Sequence, residues 1–138
     1  MDKKYNTGVV WQDFQHRELM NLLIRLKNAR ADQSEEDEFN FAVAFLSMYV
    51  NHHFRLEEKY MDLYDYPDRE DHKKAHQTYT RTLRSFRSSH TTYSKEAMDA
   101  LVSKIHSWVL NHILEDDQKL GAHIITAEKA LHQSKGDD

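Results

Sequence analysis

Five of the ten histidines, His16, His53, His72, His76 and His112, fall on apolar stripes at helical spacing, and Glu57 and Asp117 fall beside them. Imidazole nitrogen and carboxylate oxygen are both metal ligands, so the pattern reads as a metal site in the middle of a helical bundle. His72 and His76 are four residues apart, as are His53 and Glu57. That spacing sets one side chain above the other on a helix face, about 6 Å along the axis. Glu58 is turned about 100° away from the His53 face. Burying five imidazoles with no common partner is costly, which argues for one shared purpose. The chain contains no cysteine, so thiolate clusters and disulfides are excluded and any metal is held by nitrogen and oxygen.

Coordination counting narrows the chemistry. Five imidazoles, two bridging carboxylates and one solvent-derived bridging oxygen leave a single position open on a pair of octahedral metals. With three histidines on one metal and two on the other, the open position falls on the two-histidine metal. The donor set suits iron, whereas zinc prefers four ligands. His52, His106 and His123 each sit one residue off an apolar stripe, His90 falls in a loop and His132 lies near the tail. These five read as surface residues.

The elements that must position the ligands come from periodicity. His16, Leu19, Leu23 and Leu26 mark a helix from about Trp11 to Arg30. The second stripe is Phe39, Ala42, Leu46, Tyr49, His53, Leu56 and Tyr60, preceded by Ser34 as a capping residue and stopped by Pro67. The third is His72, His76, Tyr79, Leu83 and Phe86, followed by a loop at 88–94; the fourth is Met98, Leu101, Ile105, Trp108 and His112. Leu120, Ile124, Ala127 and Leu131 mark a continuation or a short fifth helix, and the last residues read as frayed. The expected fold is all-α: an up-down-up-down antiparallel four-helix bundle over about 11–115, with a short C-terminal helical extension over about 117–132, in one domain spanning 1–138.

Composition bounds the alternatives. A chain of 138 residues fits one core, and three glycines with one proline supply too few turns for an all-β fold. A formal charge of −4 without a basic block disfavours nucleic acid. No apolar run reaches a membrane span and the N-terminus lacks the apolar core of a signal peptide, so a cytoplasmic monomer is expected.

Four segments resemble the hemerythrins, and among them the single-domain bacterial hemerythrins. Residues 8–16, GVVWQDFQH, are similar to the family's approach to the first helix, with Gln12 standing where the family usually has an aliphatic residue. Residues 53–61, HFRLEEKYM, resemble its second-helix signature. Residues 66–76, YPDREDHKKAH, resemble its proline turn followed by two histidines four apart. Residues 108–120, WVLNHILEDDQKL, resemble its fourth-helix pattern, in which the carboxylate falls at Asp117. Helical geometry alone would choose Asp116, because Asp117 lies about 140° round from His112. Adopting Asp117 therefore predicts a local distortion between the two, such as a wide turn or a break.

The resemblance implies a non-haem di-iron site with an oxo or hydroxo bridge. His72, His76 and His112 would hold one iron and His16 and His53 the other, with Glu57 and Asp117 bridging. It implies reversible O₂ binding at the open iron, in a carrier, store or sensor. A separate recipient for O₂ or for a signal is compatible with the sequence. The alternative is a di-iron enzyme that scavenges peroxide or nitric oxide or oxidises iron. Oxygenase-type sites use Glu-x-x-His pairs. This chain has none, which favours O₂ binding over catalysis. Leu19, Phe54, Trp108, Val109 and Ile113, each one helical step from a ligand, are the expected walls of a dry O₂ pocket. Val109 is smaller than the family's aliphatic residue, so looser access and faster autoxidation are expected.

Overall fold

The computed structural model describes residues 6–32 and 34–136. Four long helical rods form an antiparallel bundle: α1 (Val10–Asp32), α2 (Glu35–Leu63), α3 (Arg69–Ser89), and a fourth rod made of α4 (Lys95–Trp108), a π-helical segment (Val109–Asp117) and α5 (Gln118–Gly136). There is no strand among the described residues, and no described helix is long and apolar enough to cross a membrane.

Local chemistry sets the helix ends. The Asp13 carboxylate accepts from the N–H groups of Thr7 at 2.7 Å and Gly8 at 3.1 Å, folding the chain back onto the first turn of α1. Gly8 has a φ of 91°, a conformation that suits glycine. Four acidic residues, Glu35 to Glu38, open α2 and match the positive end of its dipole. Ser34 precedes them as expected, but its hydroxyl does not cap; its carbonyl accepts from the Glu38 N–H at 3.1 Å. At the other end of α2, Asp65 turns left-handed and the Tyr66 N–H donates to the Met61 carbonyl at 2.9 Å, just ahead of Pro67. Ser94 caps α4 by accepting the Ala97 N–H at 2.9 Å.

Three details differ from the periodicity reading. Ser88 and Ser89 belong to α3, so the following loop is shorter than 88–94. The extension is present as α5, a 19-residue helix joined to α4 without a break, and its helix reaches Gly136 rather than fraying from Ser134. Leu131 is exposed, so only Leu120 and Ile124 of that series are core.

Two apolar clusters fill the bundle. The larger joins Leu19 to Leu26 with Phe39, Leu46, Phe54, Met98, Leu101 and Trp108. The smaller joins Val9, Met61, Tyr66, Leu120 and Ile124. Along the chain His16, Glu57, His72, His76 and Asp117 fall between residues of the two clusters, while His53 and His112 lie among residues of the larger one. The polar pocket is thus closed at both ends by hydrocarbon, which withholds water from it.

Candidate metal centre

α1 contributes His16, α2 His53 and Glu57, α3 His72 and His76, and the π-helical segment His112 and Asp117; all seven are buried. Every histidine turns its Nε2 inward. Glu57 Oε1 has four of them within reach: His76 at 3.0 Å, His72 at 3.1 Å, His112 at 3.3 Å and His53 at 3.4 Å. Asp117 spans the cluster. Its Oδ2 lies 2.7 Å from His16 Nε2 and 3.2 Å from His53 Nε2, and its Oδ1 lies 3.0 Å from His112 Nε2 and 3.3 Å from His72 Nε2.

The ligand atoms fall into two overlapping groups of four. One is Glu57, His72, His76 and His112; the other is His16, His53, Glu57 and Asp117. The donor chemistry fits cations at these places. One carboxylate oxygen cannot accept four imidazole hydrogens with good geometry. Asp117 Oδ1, buried between two ring nitrogens, forms no hydrogen bond at all. Both conditions are relieved if lone pairs, not hydrogens, face a shared positive charge.

The π-helical segment explains why Asp117 and not Asp116 enters the pocket. A π-turn is wider than an α-turn, so a residue five on returns to the face of His112. Asp116, at the α-helical spacing, meets the other ring nitrogen instead: its Oδ2 is 3.3 Å from His112 Nδ1. The expected distortion is therefore a wide turn within an unbroken rod.

Outer partners orient the rings. His53 Nδ1–H donates to Gln15 Oε1 at 2.6 Å, which leaves Nε2 with a lone pair for the centre. Tyr49 stacks on His53 at 5.3 Å and donates its hydroxyl to the Gln15 carbonyl. Phe54 lies flat on His76 at 3.8 Å, and Trp108 leans on His112 at 4.7 Å. Gln12 is the functional residue that sequence reasoning passed over. It is fully buried and donates Nε2–H to Glu57 Oε2 at 2.8 Å. Its polar type on a core face was the available signal. Gly121 makes room for it: a Cβ there would lie 2.9 Å from Gln12 Oε1 and 2.6 Å from Thr7 Cβ.

Electrostatics match a pocket built for charge. Burial opposes ionising either carboxylate, and Asp117 opposes Glu57 further, yet His53, His112 and His72 hold Glu57 well below the usual carboxylate range. Burial likewise opposes Asp117, and His112, His16 and His53 outweigh it. Burial depresses His72, but the Asp117 and Glu57 carboxylates beside it overcome that and raise it to about 9. His112 is raised well above its ordinary value: burial opposes this, and Asp117, Asp116 and Glu57 together outweigh it. At His76 burial wins and lowers it to about 4.

The five residues expected to wall an O₂ pocket take different places around the centre. Leu19 and Trp108 border an apolar cavity of about 60 Å³ with Leu46, Tyr49, Val50 and Ile105. Phe54 covers His76, while Val109 and Ile113 are buried in the core without lining that space. Of the histidines read as surface residues, His52, His106 and His132 are exposed. His90 is half-buried against Phe86 at the end of α3. His123 is half-buried too, its Nε2–H donating to the Tyr64 carbonyl at 2.7 Å, because α5 packs against the turn after α2.

This fold and donor set define a cation-binding helical bundle, and the chain matches the hemerythrin HHE cation binding domain over residues 7–124. The protein belongs to the hemerythrin family. It is 27% identical over 135 residues to the bacteriohemerythrin of Stenotrophomonas maltophilia, covering 95% of this chain and 86% of that one. It is 28% identical over 112 residues to the bacteriohemerythrin of Pseudomonas aeruginosa, covering 81% of this chain and 72% of that one.

Proposed function

We propose that the protein binds O₂ reversibly at two irons, one held by His72, His76 and His112 and the other by His16 and His53, with Glu57 and Asp117 bridging. The observation that carries this reading is the pair of overlapping ligand groups that share Glu57 and are spanned by Asp117. When bound, the iron pair supplies the electrons that hold O₂ and takes them back on release.

The chain's own residues bias that exchange toward reversibility. Five imidazoles and only two carboxylates place little negative charge on the metals, which favours the reduced pair. Gln15 keeps the His53 proton on Nδ1, away from the centre. Leu19, Tyr49, which stacks on His53, and Trp108, which leans on His112, wall a space that admits a small apolar molecule and little water. No Glu-x-x-His pair is present to supply the carboxylate-rich surround of an oxidising enzyme. A cytoplasmic monomer remains part of this reading.

The test is optical. Iron-loaded protein is reduced without air, exposed to O₂, then stripped of O₂ under inert gas. A visible band should appear and bleach again with no added reductant. Immediate irreversible oxidation, with turnover of peroxide or nitric oxide, would replace this reading with the di-iron enzyme.

A further inference from the structure

Charge is unevenly spread along the chain. Residues 72–95 hold six of the 19 lysines and arginines and none of the 23 acidic residues, in a molecule of net charge −4. Most of these cations belong to α3, with Arg81, Arg84 and Arg87 three residues apart. Together with Arg55 of α2 they rim an open groove of about 660 Å³ between α2 and α3. All four arginines are exposed, and none has a hydrogen bond or ion pair among the described residues. Lys73, at one end, is paired with Asp62 at 3.0 Å. From Lys73 to Arg87 the stripe is about 21 Å long.

The groove floor is what gives the stripe a direction. It reaches Phe54 and His76. Phe54 lies on the His76 ring at 3.8 Å and on Trp108 at 5.1 Å, and His76 Nε2 lies 3.0 Å from Glu57. The groove thus runs from the four unpaired arginines, past a single carboxylate, Glu58, to the three-histidine side of the metal pocket. The arginines are spread along a line and do not converge on a point. That arrangement suits an extended acidic surface better than a small anion.

We infer that the α2–α3 groove is the docking site of a small acidic one-electron carrier protein, which delivers electrons at the Phe54–His76 edge. The docking stands on the groove alone; the electron delivery rests on the iron reading above. Each encounter passes one electron from the reduced carrier to one ferric ion, which becomes ferrous while the carrier leaves oxidised. Two encounters restore an autoxidised pair. Contacts of this kind are small in area, steered by charge and weakened by salt.

The experiment uses a plant-type [2Fe–2S] ferredoxin as the acidic probe and cytochrome c as the basic one, against the full chain with and without metal. Ferredoxin should bind both forms, with affinity falling at least about tenfold between low and physiological salt. The triple variant Arg81→Glu, Arg84→Glu, Arg87→Glu should abolish that binding, while Lys119→Glu with Lys129→Glu, on α5, should leave it unchanged. Circular dichroism checks that the variants fold. In the oxidised iron-loaded protein, the triple variant should slow reduction by ferredoxin about tenfold and leave reduction by dithionite alone. Salt-independent binding, equal binding of cytochrome c, or a triple variant that binds normally overturns the docking site. A triple variant that instead changes the oligomeric state assigns the groove to a second copy and also overturns it. Docking without electron transfer refutes the entry route. Failure of the optical test, by contrast, leaves binding to the metal-free chain untouched, so the two failures are distinguishable.

Discussion

The two sides of the metal pocket are supported by different chemistry. On the side of His16 and His53 the partners are neutral: Gln15 on the His53 ring, Gln12 on Glu57, and Tyr49 stacked beneath. An apolar cavity lies behind Leu19 and Tyr49, closed from the other side by Trp108. On the side of His72, His76 and His112 the partners are acidic or aromatic. Asp116 lies 3.3 Å from His112 Nδ1, Glu58 lies 3.8 Å from His76 Nδ1, and Phe54 and Trp108 cover the rings. A carboxylate behind an imidazole raises its strength as a ligand; an amide oxygen does so less. The contrast suits one strongly held metal beside one that keeps a place for a neutral guest.

The sharpest way to break this comparison is at the residue that serves both sides. Asp117→Asn should lose the metal pair, whereas Asp116→Asn should keep both metals with about tenfold weaker binding on the three-histidine side. Metal analysis after reconstitution decides. The reverse outcome would mean that the wide turn does not select the ligand.

A second test concerns what the metals do for the fold. Loading at a thousandfold excess over Kd should stabilise by about 4 kcal/mol, a rise in melting temperature on the order of 10 °C. The gap should widen with pH. His72 is raised to about 9 in the folded metal-free state, so the stability it contributes is complete below its unfolded value near 6.5 and is lost as pH rises through 9. The loaded form has no such proton to lose. Calorimetric titration at neutral pH should accordingly release protons on loading. Equal melting temperatures for the two forms would show that the metals contribute nothing to stability.

Smaller effects probe the neutral side. Gln12→Leu removes the donor on Glu57 and should weaken metal binding about tenfold. Gln12→Glu should be worse, because it sets a second negative charge beside that carboxylate. Competition against a chelator measures both, and a Leu variant indistinguishable from the parent would make Gln12 mere filling. Smallest of all, Leu19→Ala enlarges the cavity and should speed autoxidation a few-fold by admitting water. If the rate does not change, the apolar wall is not what protects the bound state.

How much was legible in advance depends on range. Four helices and the His53–Glu57 and His72–His76 pairs could be read from the chain because three- and four-residue spacings are local consequences of helix geometry. That Phe54 lies flat on His76 was not legible, since two helix faces meeting at an angle decide which neighbour a ring covers. Gln12 looked like a minor departure in a family pattern. Its purpose depends on Glu57, 45 residues away, and on the missing side chain of Gly121. His123 looked solvated until α5 was seen to pack on Tyr64.

The sequence by itself determined the donor set, the helices that carry it and the exclusion of sulfur, because ligand type and helical periodicity are properties of residues and their near neighbours. Only the tertiary structure decided that the fourth rod widens into a π-helix so that Asp117 displaces Asp116, that Gln12 reaches Glu57, and that a basic groove opens onto His76. Each of these depends on where separate helices come to rest against one another. Packing sets that by filling space and satisfying buried polar groups across the whole bundle, and no local spacing encodes it.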